Sequence, residues 1–348
     1  MIILALDLGS PATKTAATIL DTDSGVIQRT SFATTPEPFL RHLELYHPKR
    51  VVLECTRGSG WVVDLLRGAG VAEVQIANAK DPAWLNRTSK TDGRDADLLA
   101  RLSATGQLRT VHIPERAVRE WRTLIDFRHR LVAARTRVKH HIKAILQQQG
   151  IATGKLWNAF GMTSLRLLAK PLAACDVDEL WRGELAMDLV RLREADLHVQ
   201  AATERLDRLL DACPAAQDLL TVDGVGPRTV EALIATIDHP LRFANQKDLG
   251  AYTGLVPRVL QSGSYLRHGR VTKAGDRILR AMLIQAVRVG VRRTEWMRTI
   301  YTTCRRDDPG RDKRAVVAVA RRVAVRLWAK FRDYRRKNPQ EPLLSSAA

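Results

Sequence analysis

"RVVLECTRGSGWVVDLLRGAGVAEVQIA" (residues 50–77) runs from one short apolar stretch, through a glycine-flanked amphipathic stretch, to another. "RVVLEC" and "VAEVQIA" have the length and composition of buried strands. Between them "GSGWVVDLLRGAG" reads as a helix entered and left through glycines. "MIILAL", at the start of the chain, is an earlier strand of the same kind. Strand, helix, strand and helix in that order predict a layered α/β domain over residues 1–112. Ligands of such sheets gather at the carboxyl ends of the strands. An acid stands at that end of each of the first two: Asp7 in "LALDLGS" and Glu54 in "RVVLEC". Glu54 has a plain reading as a solvent-facing strand end. A buried glutamate there instead needs a partner, a proton or a metal.

Downstream, "SKTDGRDADLLARL" (residues 89–102) places three aspartates just where an apolar helical pattern begins. Acids in a first helical turn commonly cap free N–H groups and offset the dipole. The spacing allows a second role. Asp92 and Asp95 are three apart and share a face, whereas Asp97 lies about 140° round from Asp92 and points elsewhere. Together Asp7, Glu54, Asp92 and Asp95 supply two acids from strand ends and two from one helical face. Four such carboxylates repel one another unless a cation intervenes, and Mg²⁺ takes a few carboxylates together with water and phosphate oxygens. The acid–glycine–threonine/lysine look of the first loop also fits an actin-like ATPase. That fold needs a second phosphate loop, and the nearest candidate, "TVDGVGPRT", has the wrong glycine spacing and follows a helical stretch.

The chain has 348 residues, 45% hydrophobic and 27% charged, which suits two or three globular domains. No apolar run is long enough to span a bilayer, and "MIILALDLGS" lacks the pattern of a signal peptide. Cys55, Cys175, Cys213 and Cys304 are scattered, which argues against a zinc site or a disulfide framework and fits a reducing cytoplasm. The net charge of +19 is unevenly placed. Residues 1–112 hold 13 Lys/Arg against 12 Asp/Glu and residues 113–240 hold 18 against 17, but residues 241–338 hold 25 against 7. So concentrated a field implies a polyanionic partner, nucleic acid above all. No clean lipid-facing stripe accompanies it, so a membrane is not expected.

Residues 113–212 read as helical. Leu124, Leu131, Val138 and Ile145 repeat every seven residues, with Phe127 and Ala134 between and His141 and Gln148 weakening the seam. Leu185, Leu192, Val199 and Leu206 do the same on a second long helix, with Leu189 and Leu210 between and Asp196 and Thr203 as blemishes. The pattern predicts an antiparallel pair, a dimerising coiled coil, or an ordinary packed helical subdomain. Residues 213–348 follow as a basic, mainly helical segment. In "VDGVGPRT", Gly224 and Gly226 look like a helix-hairpin-helix turn, whose backbone N–H groups can hold a phosphate. A basic, glycine-rich loop follows. There Ser262 and Ser264 lie in a glycine turn among Arg258, Arg267, Arg270, Lys273, Arg277 and Arg280. Serine in such a turn is ordinarily structural, and a catalytic serine needs activation.

Taken in order, "ALDLGS", "VLECTRGSGW", "KTDGRDADLLA", "VDGVGPRTVEALIATI", "GAYTGLVPR", "QSGS" and "GRVTKAGDRILRAML" resemble the DEDD-type insertion-sequence transposases. These are also called bridge-RNA-guided recombinases and include the Piv-type DNA invertases. The resemblance covers about residues 1–330. It implies an RNase H-like N-terminal domain similar to Holliday-junction resolvases, a coiled-coil linker, and a C-terminal domain carrying a nucleophilic serine. It further implies Mg²⁺ on Asp7, Glu54, Asp92 and Asp95, a covalent serine–DNA intermediate, and a noncoding RNA that pairs with target and donor DNA. A homodimer assembling into a tetramer on DNA is implied as well. Ser262, directly before Gly263, matches the family's serine, with Ser264 as its rival. Two other readings make distinct forecasts. A resolvase-like nuclease would direct water and form no adduct, and a non-enzymatic nucleic-acid-binding protein would not cut at all.

Overall fold

The computed structural model describes residues 1–56, 58–78, 92–262 and 265–344. The chain divides into two compact units, Met1–Arg116 and Ala117–Ala348.

In the first unit, β1 (Ile2–Asp7), β2 (Lys14–Asp21) and β3 (Ile27–Ala33) form an antiparallel meander. Then come α1 (Pro36–Tyr46), β4 (Arg50–Glu54), α2 (Ser59–Gly68), β5 (Glu73–Ala77) and α3 (Asp92–Ala104). The sheet order is β3-β2-β1-β4-β5, with β4 parallel to β1 and β5 parallel to β4. The expected helix over "GSGWVVDLLRGAG" and the strands on either side of it are present. The meander is an addition: β2 ("KTAATILD") mixes Thr and Ala without clean alternation, and its burial comes from both neighbours and both faces. This mixed α/β arrangement is compatible with an RNase H-like domain.

The two sheet faces follow from the period of two along a strand. Leu4, Leu6, Val51 and Leu53 point to one face, where Phe39, Val62 and Leu66 of α1 and α2 cover them. Ile3, Ala5 and Val52 point to the other, where Leu99 and Ala100 of α3 cover them. Each fully buried Leu, Val or Ile of these layers stabilises the sheet by about 1.5–3 kcal/mol before entropy is counted.

The second unit contains α4 (Arg116–Gln148), α5 (Ala159–Leu168), α6 (Leu180–Asp211), α7 (Pro214–Leu220), α8 (Pro227–Ile237) and α9 (Gln246–Thr253). A two-stranded antiparallel sheet, β6 (Pro257–Ser262) and β7 (Tyr265–Val271), precedes α10 (Arg277–Arg293), α11 (Glu295–Arg305) and α12 (Asp312–Lys337). The region read from sequence as a glycine-rich loop is therefore a β-hairpin. Val259 and Leu260 pair with His268 and Arg267 across it, and backbone pairing organised a stretch whose side-chain pattern shows no amphipathic period.

α4 and α6 run antiparallel within the chain. Arg128 donates to Thr203 Oγ1, Arg135 to Asp196, and His141 Nδ1 lies 2.5 Å from Asp188 Oδ2, so positions rise on one helix as they fall on the other. Three of the residues that blemish the heptads, Thr203, Asp196 and His141, are thus partnered across the helix pair, by Arg128, Arg135 and Asp188. Leu185, Leu192, Val199 and Leu206 are all buried. Phe127 departs from the seam position expected of it: it is 45% exposed with the Arg130 guanidinium over its ring, because the α4 stripe facing α6 runs one place on, through Arg128 and Arg135. At the other end of this helix, Arg122 donates to the last carbonyls of α8, those of Ala235 and Thr236, and so ties α4 to the C-terminal core. That core packs Leu233 and Ile234 of α8 against Leu283 of α10 and against Val323, Leu327 and Phe331 of α12.

Candidate active site and nucleic-acid interface

Asp7 and Glu54 close β1 and β4. The parallel register pairs Leu6 with Leu53, so one residue further on the two acids stand side by side on strands about 4.8 Å apart. By alternation both belong to the face of Ile3, Ala5 and Val52, which α3 covers.

α3 runs opposite to those strands. Near its C-terminal end Ser103 Oγ donates to Gln75 Oε1 (2.8 Å), and the Ser103 carbonyl accepts from Arg50 Nη1 (3.0 Å), at the start of β4. From Ser103 back to Asp95 the helix rises about 12 Å, and from Arg50 to Glu54 the strand rises about 13 Å. Asp95 therefore stands level with Glu54. It is 3% exposed and shares the sheet-facing stripe with Ala96, Leu99, Ala100 and Ser103. Asp92, one turn earlier on that stripe, is exposed. The fold thus brings four carboxylate-bearing positions to one face and one end of the sheet. Their donor chemistry, hard oxygens only, fits a divalent cation. Among the described residues, however, no three acids, histidines or cysteines stand close enough together to hold a metal ion.

Asp97 has a different occupation, which its angular offset foretold in direction but not in kind. It accepts from Thr18 Oγ1 at 2.8 Å on β2 and from Arg29 Nε and Nη2, at 3.0 and 2.8 Å, on β3. Partial burial opposes its charge, but the bonds from Arg29 and Thr18 outweigh that and hold the carboxyl below its usual range. This clamp fixes α3 to the meander. A threonine on a strand and an arginine on an edge carry no sequence signal of the partnership.

In the second unit Ser262 is the last residue of β6 and pairs with Tyr265 at the start of β7. Gly263 and Ser264 lie outside the described residues, as does the side chain of Ser262. Around this hairpin Arg258, Arg267, Arg270, Lys273 and Arg277 are exposed, and so is Tyr265. Arg280 differs. Its guanidinium donates to the carbonyls of Ala274 and Gly275, holding the loop between β7 and α10. Two glycines seat that loop against the end of α9: a Cβ on Gly254 would lie 2.1 Å from the Ala274 carbonyl oxygen, and one on Gly275 1.9 Å from that of Tyr252. The "GAYTGL" and "VTKAGDR" motifs are thus halves of one joint.

Gly224 and Gly226 form the turn between α7 and α8. Gly224 has φ +82° and packs on Met297, while Gly226 precedes the Pro227 that opens α8. The turn borders a groove of about 500 Å³ whose lining includes Arg128, Arg135, Arg228 and His129. Beneath it Glu231 is 2% exposed, and burial pushes its carboxyl up to about 7 against the pull of Arg228 and Arg128. Arg228 Nη1 lies 3.1 Å from that carboxylate. No periodicity in the sequence points to this groove.

Comparison with known proteins accounts for both ends. Residues 6–151 match the DEDD-type transposase model of the IS110 group, and residues 216–302 match the transposase IS116/IS110/IS902 family. A putative transposase y4pF/y4sB of Sinorhizobium fredii is 26% identical, over 93% of this chain and 86% of that protein. A probable family 20 transposase of Pseudomonas aeruginosa is 28% identical, over 69% and 71%. The transposase for insertion sequence element IS1111A of Coxiella burnetii is 24% identical, over 80% and 76%. Both ends carry the marks of one class of enzyme, the DNA transposases. Within it, the chain belongs to the DEDD-type insertion-sequence transposases of the IS110 group.

Proposed function

We propose that this transposase cuts and rejoins DNA at specific sites to mobilise its own element, using Asp7, Glu54, Asp92 and Asp95 as Mg²⁺ ligands and Ser262 as the nucleophile. The observation that carries the reading is the parallel register of β1 and β4. It sets Asp7 beside Glu54 on the face covered by the helix of Asp92 and Asp95. Mg²⁺ bound there would neutralise the scissile phosphate and steady its entering and leaving oxygens.

The serine hydroxyl gives up its proton as its oxygen attacks phosphorus. A phosphoserine ester forms, the bond to one deoxyribose oxygen breaks, and that oxygen takes a proton. Attack by a second deoxyribose hydroxyl on the ester reverses these changes and rejoins the strand, so no external energy source is needed. The exposed Arg258, Arg267 and Arg270 on a two-stranded ribbon suit phosphate contacts, since a ribbon of that width enters a major groove. The Gly224–Gly226 turn would add backbone donors. Arg280, occupied with carbonyls, positions the loop. A noncoding RNA that pairs with target and donor DNA follows from the family resemblance. Self-association into dimers and then tetramers is supported by Met187, Val190 and Leu197, which remain 48–59% exposed along α6. Among the described residues no helix is long and apolar enough to cross a membrane, and action in the cytoplasm fits four free thiols.

A covalent-trap assay tests this. Protein with co-expressed RNA is incubated with the element's junction plasmid and Mg²⁺, then quenched in denaturant. DNA should stay attached to wild type and to Ser264→Ala, and to neither Ser262→Ala nor Asp92→Ala. Cleavage without an adduct, indifferent to both serines, would instead establish a nuclease that directs water.

A further inference from the structure

On the far side of the sheet end from α3, the loops that follow β1 and β4 enclose a cavity of about 470 Å³. Gly9 and Ser10 line it from the first loop, Thr56 and Gly58 from the second, with Thr34 and Trp61 completing the wall. Gly9 is two residues beyond Asp7 and Thr56 two beyond Glu54. Neither can lie more than about 7 Å from its acid along the chain.

The lining has a definite chemistry. Trp61 supplies an indole to the lining and is held by an edge-to-face contact with Phe39, ring centroids 5.6 Å apart. The exposed Thr56 and Ser10 add hydroxyls to the lining, that of Ser10 also lying 3.3 Å from Thr13 Oγ1. Thr34 is not available to a ligand in the same way, because its hydroxyl is bonded to Thr15 Oγ1 and the Thr13 carbonyl. An indole with a few hydroxyls beside it suits a flat heterocycle that can pack on the ring and accept hydrogen bonds. A phosphate addressed by Asp7 and Glu54 has its own sugar and base within reach of this space, whereas a free small molecule would have no reason to lie beside it.

We propose that the cavity walled by Trp61 receives one unstacked base of the DNA strand whose phosphate Asp7 and Glu54 address. The inference rests on the strand-cleaving role assigned to those acids. It adds a subsite that holds the strand in register, with the unstacking of that base offset by stacking on the indole.

The two glycines separate fold from function. A Cβ on Gly9 would stand 2.3 Å from the Lys14 carbonyl oxygen, so that position cannot be changed cleanly. Gly58 has ordinary helical angles, φ −86° and ψ −13°. A Cβ there meets nothing nearer than Thr56 Oγ1 and Trp61 Nε1, both at 3.9 Å. Gly58→Val therefore adds branched bulk beside Trp61 at a position where a Cβ meets no clash, at the modest cost of a less favoured residue at the N-cap of α2. Cleavage rates would be measured, with the co-expressed RNA and Mg²⁺ present, for wild type and Gly58→Val on junction duplexes carrying a single abasic site at each position flanking the mapped cut, with melting temperature checked for both proteins. The expected result is one position where base removal slows wild type on the order of tenfold. Gly58→Val should slow the intact duplex by a similar factor and be no slower on that abasic duplex, as two changes to one interaction require. Equal rates for both proteins on intact DNA would overturn the subsite, and so would a Gly58→Val defect of the same size on every duplex. If wild type cuts no junction DNA at all, the cleavage role of the acids falls and the subsite with it.

Discussion

Gly224 and Gly226 are indistinguishable as letters, and the backbone separates them. Gly224 sits at φ +82°, where a side chain is strained, and its Cβ would approach Met297 Cε to 2.9 Å. Gly226 has φ −103°, and a Cβ on it would meet nothing within 4 Å. Gly224→Ala should therefore lower unfolding free energy by about 1–3 kcal/mol in urea titration. Gly226→Ala, at the N-cap of α8 where glycine is preferred over alanine, should cost less, below about 1 kcal/mol. If the start of α8 meets DNA phosphate, however, the added methyl at Gly226 stands in the way. Affinity for duplex DNA, read by fluorescence anisotropy at a temperature where both proteins are folded, should then fall several-fold. Unchanged affinity would leave the turn a packing device alone. The same contrast governs the acids. The spacing of Asp92 and Asp95 was legible because helical geometry converts three residues into one face. The burial of Asp95 was not, because it depends on which stripe of α3 meets the sheet.

At the scale of elements, the Asp97 clamp decides how firmly α3 presents its first turn. Asp97→Asn weakens the bonds to Arg29 and Thr18, and the loss should be on the order of 1 kcal/mol, since the Arg29 side is open to solvent and screened. Its pH dependence has a fixed sign. The folded carboxyl is held below the ordinary value, so its contribution is fully present above about pH 4 and disappears as pH falls through the depressed value. The difference between wild type and Asp97→Asn should stay flat from pH 7 to 5 and shrink below 4 in chemical denaturation. Cleavage should fall too, and higher Mg²⁺ should restore much of it, because the ligands remain and only their placement loosens. Asp95→Ala should not be rescued in that way. What sequence showed at this scale was burial in short unbroken apolar runs, β1, β4 and β5, and the glycine-flanked helix between the last two. It did not show β2 and β3, or the hairpin of Ser262. Their pairing is a property of two segments at once, and neither segment alternates cleanly by itself.

For the whole molecule, the +19 net charge and its confinement to residues 241–338 are countable from the amino-acid sequence alone. How much of that charge is free to meet DNA is not. Arg242 stacks on Phe243 and Tyr252, Arg326 lies over Trp296, and Arg332 lies over Trp328. Lys330 bonds Asp218 and Thr221, and Arg280 holds two carbonyls. These cations bind the C-terminal core together, so the number of phosphates neutralised must fall well short of the 25 Lys/Arg in that segment. Salt titration of duplex affinity measures it, since each phosphate contact contributes about −0.9 to the slope of log K against log salt. Replacing the exposed hairpin residues Arg258 and Arg270 together by alanine should make the slope shallower by about 2 and leave melting unchanged. Arg280→Ala should do the reverse, lowering the melting temperature through the loosened joint while altering the slope little. Were all three to change the slope equally with no loss of stability, the division between structural and DNA-facing arginines would be wrong. The basic segment would then act as an undifferentiated cloud of charge.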